Sequence, residues 1–121
     1  MKKILIVEDE FACIKLLHEQ LTENGFIVVD AEDGKKGLEM AKKEKPDLIL
    51  LDIKLPKMDG MTMLNLLRKE NIGKKTKVII LTNLEPDDKI ILQIIKTEPT
   101  YYYIKSNIKL DELISKIKEI V

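Results

Sequence analysis

A doubly wound α/β domain with five parallel strands and five helices is the fold class this sequence predicts; three observations predict it, and 2-1-3-4-5 is the common order for a five-stranded sheet of this kind. Short β-branched runs alternate five times with longer segments of helical period, which right-handed crossovers turn into a parallel sheet covered on both sides. Three of the runs are nearly continuous apolar stretches, as strands buried on both faces should be. The 121 residues, 45% apolar and 35% charged, suit one domain spanning 1–121 with a full core and leave little room for a second.

The elements follow in order. KKILIV (2–7) reads as strand 1, and Asn24-Gly25 ends the helix after it. FIVVDA (26–31) is strand 2, and Asp33-Gly34 opens the second helix. Pro46 precedes DLILLD (47–52), strand 3, and Asp59-Gly60 turns the chain into helix 3. KVIILT (77–82) is strand 4, with Pro86 near the start of helix 4, where proline is tolerated. YYYIK (101–105) is strand 5; its alternation puts Tyr101 and Tyr103 on one face and Tyr102 with Ile104 on the other. Leu110, Leu113, Ile114, Ile117 and Val121 form the apolar stripe of the last helix.

With 21 basic against 21 acidic residues, the chain has no overall field to draw it onto nucleic acid or an anionic membrane. No apolar run reaches the ~18 residues of a membrane span, and the N-terminus MKKILIVEDEF carries acids where a signal peptide would still be apolar. The expectation is a cytoplasmic protein with no direct nucleic-acid or membrane partner. Cys13 has no second cysteine to pair with and is read as packed on a helix. His18 is read as a boundary residue, remote from the strand ends.

Strand 3 raises the chemical question, because its greasy run stops at one carboxylate, Asp52. A carboxylate costs several kcal/mol to desolvate, so this one must be paired, neutralised by a metal, or exposed. In the 2-1-3-4-5 order, strand 1 runs into Glu8 and Asp9, strand 3 into Asp52, strand 4 into Thr82 and strand 5 into Lys105, all at one edge of the sheet. Asp47 lies at the opposite edge and belongs to a turn. Three converging carboxylates repel one another unless a cation sits among them or a proton is taken up. Oxygen ligands without His or Cys suit a hard cation, and few carboxylates completed by water suit magnesium better than calcium. Lys105 supplies complementary charge and Thr82 a hydroxyl for a phosphoryl oxygen. The set reads as phosphoryl transfer with Asp52 as nucleophile.

IVEDE with its acidic pair, LILLDIKLPKMDG with its aspartate, VIILTN with its hydroxyl and YYYIKS with its lysine together resemble the receiver domain of two-component response regulators, from Lys2 to Val121. The flavodoxin-like order 2-1-3-4-5 is the known order of chemotaxis receivers, so it accompanies the resemblance and is no independent result. The resemblance implies that Asp52 takes a phosphoryl group from a phosphohistidine on a sensor histidine kinase or phosphotransfer protein. It implies that Asp9, Asp52 and the Lys54 backbone carbonyl ligate Mg2+, with Glu8 acting mainly through water. Lys105 would hold a phosphoryl oxygen, Thr82 would swing toward the phosphate, and Tyr102 would be the switch aromatic. The partner-binding face would be made by helix 4, strand 5 and helix 5. A downstream effector protein is implied, homodimer formation is open, and no output domain is expected. Such a protein catalyses its own aspartyl phosphorylation and dephosphorylation but is chiefly a signalling switch.

Three positions depart from the family pattern: Asn83 stands where a small residue is usual, Ser106 where proline is common, and TEPT (97–100) where a Gly-Ala pair often lies. A trans bond is expected before Ser106, because without proline the cis form costs about 3 kcal/mol. Rival classes fit less well. A flavin carrier would need a phosphate loop after strand 1, where EDEF would repel phosphate, and a haloacid-dehalogenase-type phosphatase would need an acid at Lys54. Gly34 and Gly37 follow strand 2 and lack the rest of a phosphate loop. The alternative that remains is a receiver-like interaction module that is never phosphorylated.

Overall fold

In the computed structural model, which describes residues 1–121, strand β1 (Lys3–Val7) lies between β2 (Ile27–Ala31) and β3 (Leu48–Leu51), followed by β4 (Lys77–Thr82) and β5 (Tyr101–Ile104). All pairings are parallel, as the alternation predicts, and the order is β2-β1-β3-β4-β5, the one that accompanies the receiver resemblance. The helices are α1 (Phe11–Glu23), α2 (Gly34–Glu44), α3 (Gly60–Lys69), α4 (Asp88–Thr97) and α5 (Leu110–Ile120). None is long and apolar enough to cross a membrane.

Alternation along each strand divides the core in two. Leu5, Val7, Ile49, Leu51, Val78 and Ile80 meet Met61, Met63, Leu64 and Leu67 of α3 and Ala41 of α2 on one face. Ile4, Ile6, Leu48, Leu50, Ile79 and Leu81 meet Leu17 and Leu21 of α1 and Leu113, Ile114 and Ile117 of α5 on the other. Each such aliphatic side chain, removed from water, contributes about 1.5–3 kcal/mol, so the three central strands hold the sheet together and present their C-terminal ends on a rigid base. Tyr102 joins the first cluster while Tyr101 and Tyr103 join the second, stacked with ring centroids 5.5 Å apart.

Local chemistry explains the helix starts. Asp33, Asp59 and Asp87 each accept a hydrogen bond from the backbone N–H three residues on, at 2.7, 2.9 and 2.8 Å, and so satisfy one orphan donor apiece. Pro86 precedes the Asp87 cap rather than lying within the helix. Strand 5 stops at Ile104 and Lys105 opens a short 3-10 turn through Asn107, so the lysine sits just beyond the strand. No peptide bond is cis, the one before Ser106 included. At the opposite edge Asp47 accepts from the Lys3 N–H at 2.8 Å and fastens the β3 turn to β1.

The turn into β5 is built around the chain's single arginine. Glu98 takes the left-handed conformation (φ 48°) that a glycine would adopt without cost. The Arg68 guanidinium, reaching from the end of α3, donates to the carbonyls of Thr97 (2.7 Å), Gly73 (2.8 Å), Thr76 (2.7 Å) and Glu98 (3.3 Å). The buried Thr97 hydroxyl donates to the Gln93 carbonyl at 2.6 Å. Sequence reading missed this clamp. Its one signal is that Arg68 stands alone among the 21 basic residues, where a planar fork with five donors does what lysine cannot. Arg68→Met keeps the apolar stem and strands these carbonyls, so we expect a loss of about 2–4 kcal/mol in urea unfolding, with Arg68→Lys recovering less than half of it.

Candidate functional site

β1 and β3 end level, with Val7 paired to Leu51, so Glu8 and Asp52 leave the sheet side by side. Glu8, Asp52 and Thr82 are buried, whereas Asp9 is exposed. Carboxylate oxygens of Glu8, Asp9 and Asp52 all lie within 4.8 Å of one another. With Lys54, Thr82 and Lys105 they line an open cavity of about 350 Å3, which Asn83 and Glu85 also border.

Lys105 holds this cluster from the β5 side. Its ammonium donates to Asp52 Oδ2 at 3.1 Å and also to Glu8 Oε1. The second Glu8 oxygen accepts from the backbone N–H groups of Asp9 (3.0 Å) and Glu10 (3.1 Å), and Asp52 Oδ1 accepts from the Ile53 N–H at 2.7 Å. Burial raises the pKa of Glu8, against the pull of Lys105 and the Glu10 N–H. Burial works against the Lys105 ammonium too, but Glu8 and Asp52 outweigh it and hold its pKa above the ordinary lysine value. Glu8 is therefore engaged inside the protein on both oxygens, a role that its place beside Asp9 in the sequence did not reveal.

Thr82 and Tyr102 meet through one peptide unit. The Thr82 hydroxyl oxygen accepts from the Leu84 N–H at 3.3 Å, and the Tyr102 hydroxyl donates to the Leu84 carbonyl at 2.6 Å. The other residues singled out in the sequence lie outside the cavity lining. Cys13 is half-buried, and burial first, with the Glu8 charge, pushes its thiol up to about 11, which leaves little thiolate at neutral pH. His18 faces Asp30 at 3.9 Å on an exposed surface. A side chain at Gly37 would meet Val7, so that glycine serves packing.

A buried carboxylate bonded to an ammonium and close to two further carboxylates, at the strand ends of a doubly wound sheet, defines the class: a domain with an acidic, lysine-bonded cluster at the topological switch point, where ligands of such folds bind. Residues 4–118 match the family model of the response regulator receiver domain, and the chain belongs to that family, the receivers of two-component systems. It is 41% identical over 81 residues to sporulation initiation phosphotransferase F of Bacillus subtilis, a match covering 67% of this chain and 64% of that protein. It is 45% identical over 71 residues to the alkaline phosphatase synthesis transcriptional regulatory protein PhoP of the same organism, covering 59% of this chain and 30% of that protein. The matched stretch thus spans less than two thirds of either relative. Among solved structures, the receiver domain of Francisella response regulator 1452 superposes with a TM-score of 0.86 at 31% identity, covering 99% of this chain and 96% of that one. The BeF3-activated N-terminal receiver domain of Klebsiella pneumoniae RstA gives 0.84 at 31%, covering 98% and 97%. Vibrio cholerae CheY4 shares the fold with a TM-score of 0.88 at 24% identity, over 100% of this chain and 99% of that one.

Proposed function

We propose that this receiver is a phospho-acceptor: Asp52 takes a phosphoryl group from a phosphohistidine on a sensor histidine kinase or phosphotransfer protein, in a reaction that needs Mg2+. The observation that carries the reading is the charge balance of the cavity. Glu8, Asp9 and Asp52 share one bonded ammonium, that of Lys105, and with Glu10, Glu85 and Lys54 also lining the cavity five acids stand against two lysines, a deficit of positive charge. That deficit fits one divalent cation with oxygen ligands. Asp9, Asp52 and the Lys54 carbonyl would hold it, with Glu8 behind them, and it would neutralise charge on the transferring group.

The rest is done by the chain itself. An Asp52 oxygen attacks phosphorus in line, the P–N bond to imidazole breaks as the O–P bond forms, and the imidazole nitrogen leaves with the electron pair and takes a proton from solvent. Lys105, already 3.1 Å from Asp52, turns its ammonium to a phosphoryl oxygen as charge spreads over the group. Thr82 bonds another such oxygen and lets go of the Leu84 N–H, which loosens the peptide unit that holds the Tyr102 hydroxyl. The signal reaches α4, β5 and α5, where Ile91, Leu92 and Ile95 of α4 stand exposed for an effector protein. Two relatives support this chemistry: one is named a phosphotransferase, and another receiver is BeF3-activated.

Incubation with acetyl phosphate and Mg2+ should add one phosphoryl group, read as a mass increment on the intact protein, and chelation should prevent it. Asp52→Asn preserves the shape without the nucleophile and should cut the labelling rate at least ~1,000-fold. Equal labelling of wild type and Asp52→Asn would refute Asp52 as acceptor. No labelling, together with no Mg2+ binding, would leave a receiver that acts by binding alone.

A further inference from the structure

Asp52 is followed by a loop, residues 53–59, whose path is fixed by two glycines that do not belong to it. At its far end Gly60 opens α3 and donates its N–H to the Ile53 carbonyl at 2.8 Å. A Cβ at Gly60 would stand 2.0 Å from the Asp52 carbonyl oxygen, so the loop closes directly on the backbone of Asp52. Near its apex the contact is with α2. A Cβ at Gly34 would stand 1.9 Å from the Met58 carbonyl oxygen and 2.8 Å from its carbon, so the Met58 peptide rests on the bare α-carbon of Gly34. Beside it the buried Asp33 caps α2 with one oxygen and faces the Lys57 ammonium at 3.8 Å with the other. Lys57 itself sits at φ 67°, next to the tight bond from the Met58 N–H to the Pro56 carbonyl at 2.7 Å. Between these two fastenings lies Lys54, a residue that borders the acidic cavity and whose carbonyl accepts no hydrogen bond within the protein.

We infer that Gly34 is a positioning residue for the cation and phosphoryl site: by seating the Met58 carbonyl it sets the height of the 53–59 loop and thereby the Lys54 carbonyl beside Asp52. This rests on the reading of the cavity as a Mg2+-dependent phosphoryl site. The contact is between backbone groups, so a methyl at position 34 has no flexible side chain to push aside and must displace the loop or α2. Relieving a 1.9 Å approach to a carbonyl oxygen takes a displacement of about 1 Å or more at Met58, whose side chain packs at the margin of the core. Such a shift matters at Lys54, because octahedral Mg2+ demands near-ideal geometry from few ligands.

Gly37, one turn further along α2, supplies the control, since a Cβ there would also be crowded, 2.8 Å from a Val7 methyl, but against the core and not the loop. Mg2+ binding to wild type, Gly34→Ala and Gly37→Ala should be measured from amide chemical shifts, beside thermal unfolding without Mg2+. Both variants should melt earlier, but only Gly34→Ala should weaken Mg2+ binding, by about tenfold, and slow labelling from acetyl phosphate by a similar factor, with shift changes at Ile53 and Lys54. Should Gly34→Ala fail to fold, Met58→Gly decides, since it slackens the seat and leaves α2 intact; binding about threefold weaker is expected. Mg2+ affinity within twofold of wild type in Gly34→Ala, or in Met58→Gly where it stands in, overturns the inference. Equal weakening by Gly37→Ala overturns it as well, by showing a general effect of lost stability. Wild type that binds no Mg2+ removes the underlying reading and the inference with it.

Discussion

Lys105→Met should unfold about 3 kcal/mol more easily than wild type at pH 8, because it leaves Glu8 and Asp52 buried without their cation. Methionine retains most of the stem, so the loss reports the ammonium and not a cavity. Its pH dependence is the diagnostic part. In wild type the lysine pKa is raised on folding, so its contribution is complete below the ordinary lysine value of 10.5 and fades only as pH rises through the higher folded one. In the variant the carboxylates have lost their partner, and the folded-state pKa of Glu8, already raised by burial, rises further. A folded state that binds protons more readily than the unfolded chain gains stability as pH falls. The deficit should therefore be largest above neutrality and narrow from pH 7 toward pH 5. Millimolar Mg2+ should narrow it too, and more strongly than it stabilises wild type, by placing positive charge in the same space. Urea unfolding at four pH values, with and without Mg2+, tests this. A deficit constant in pH and indifferent to Mg2+ would mean that Lys105 acts through packing alone.

Thr82→Ala should separate phosphoryl uptake from its consequence. The threonine hydroxyl is one hydrogen-bonding group among several, and losing its bond to a charged oxygen should slow labelling by about tenfold, far less than Asp52→Asn. In the resting protein the same hydroxyl is tied to the Leu84 N–H, and the Leu84 carbonyl is tied to Tyr102. Without it, phosphorylation cannot alter the Leu84 peptide through this route. Amide shift changes at Leu84 and Tyr102 on adding beryllium fluoride and Mg2+ should be large in wild type and small in Thr82→Ala, while those at Asp9 and Ile53 persist. Changes of equal size at Leu84 and Tyr102 in both proteins would exclude the threonine as the link.

Much of this was legible before any coordinates. Apolar runs ending in acids, a threonine and a lysine give both the sheet and the edge at which its polar residues gather, because a parallel sheet buried on both faces sends its polar residues to the strand ends. Asp33 and Asp59 announce helix starts through the glycines after them. What stayed hidden depends on partners distant in sequence. Nothing local says that Lys105 joins Glu8 as well as Asp52, since that follows from the level ends of β1 and β3 and the reach of a side chain. Arg68 grips carbonyls that belong to no side-chain pattern, and Gly34 owes its place to a loop 24 residues later. The departure at TEPT was visible as a departure; its solution, a glutamate in the left-handed region under an arginine, was not.

The chain has three tyrosines and no tryptophan, and all three tyrosines are consecutive on β5. Its near-ultraviolet spectrum is consequently the spectrum of one strand, with only two weakly absorbing phenylalanines beside it. Tyr101 and Tyr103 are stacked on the α1–α5 side, while Tyr102 views the opposite face through its bond to Leu84. Neighbouring chromophores thus sample the two sides of the sheet, so circular dichroism or tyrosine emission can follow β5 optically in unlabelled protein.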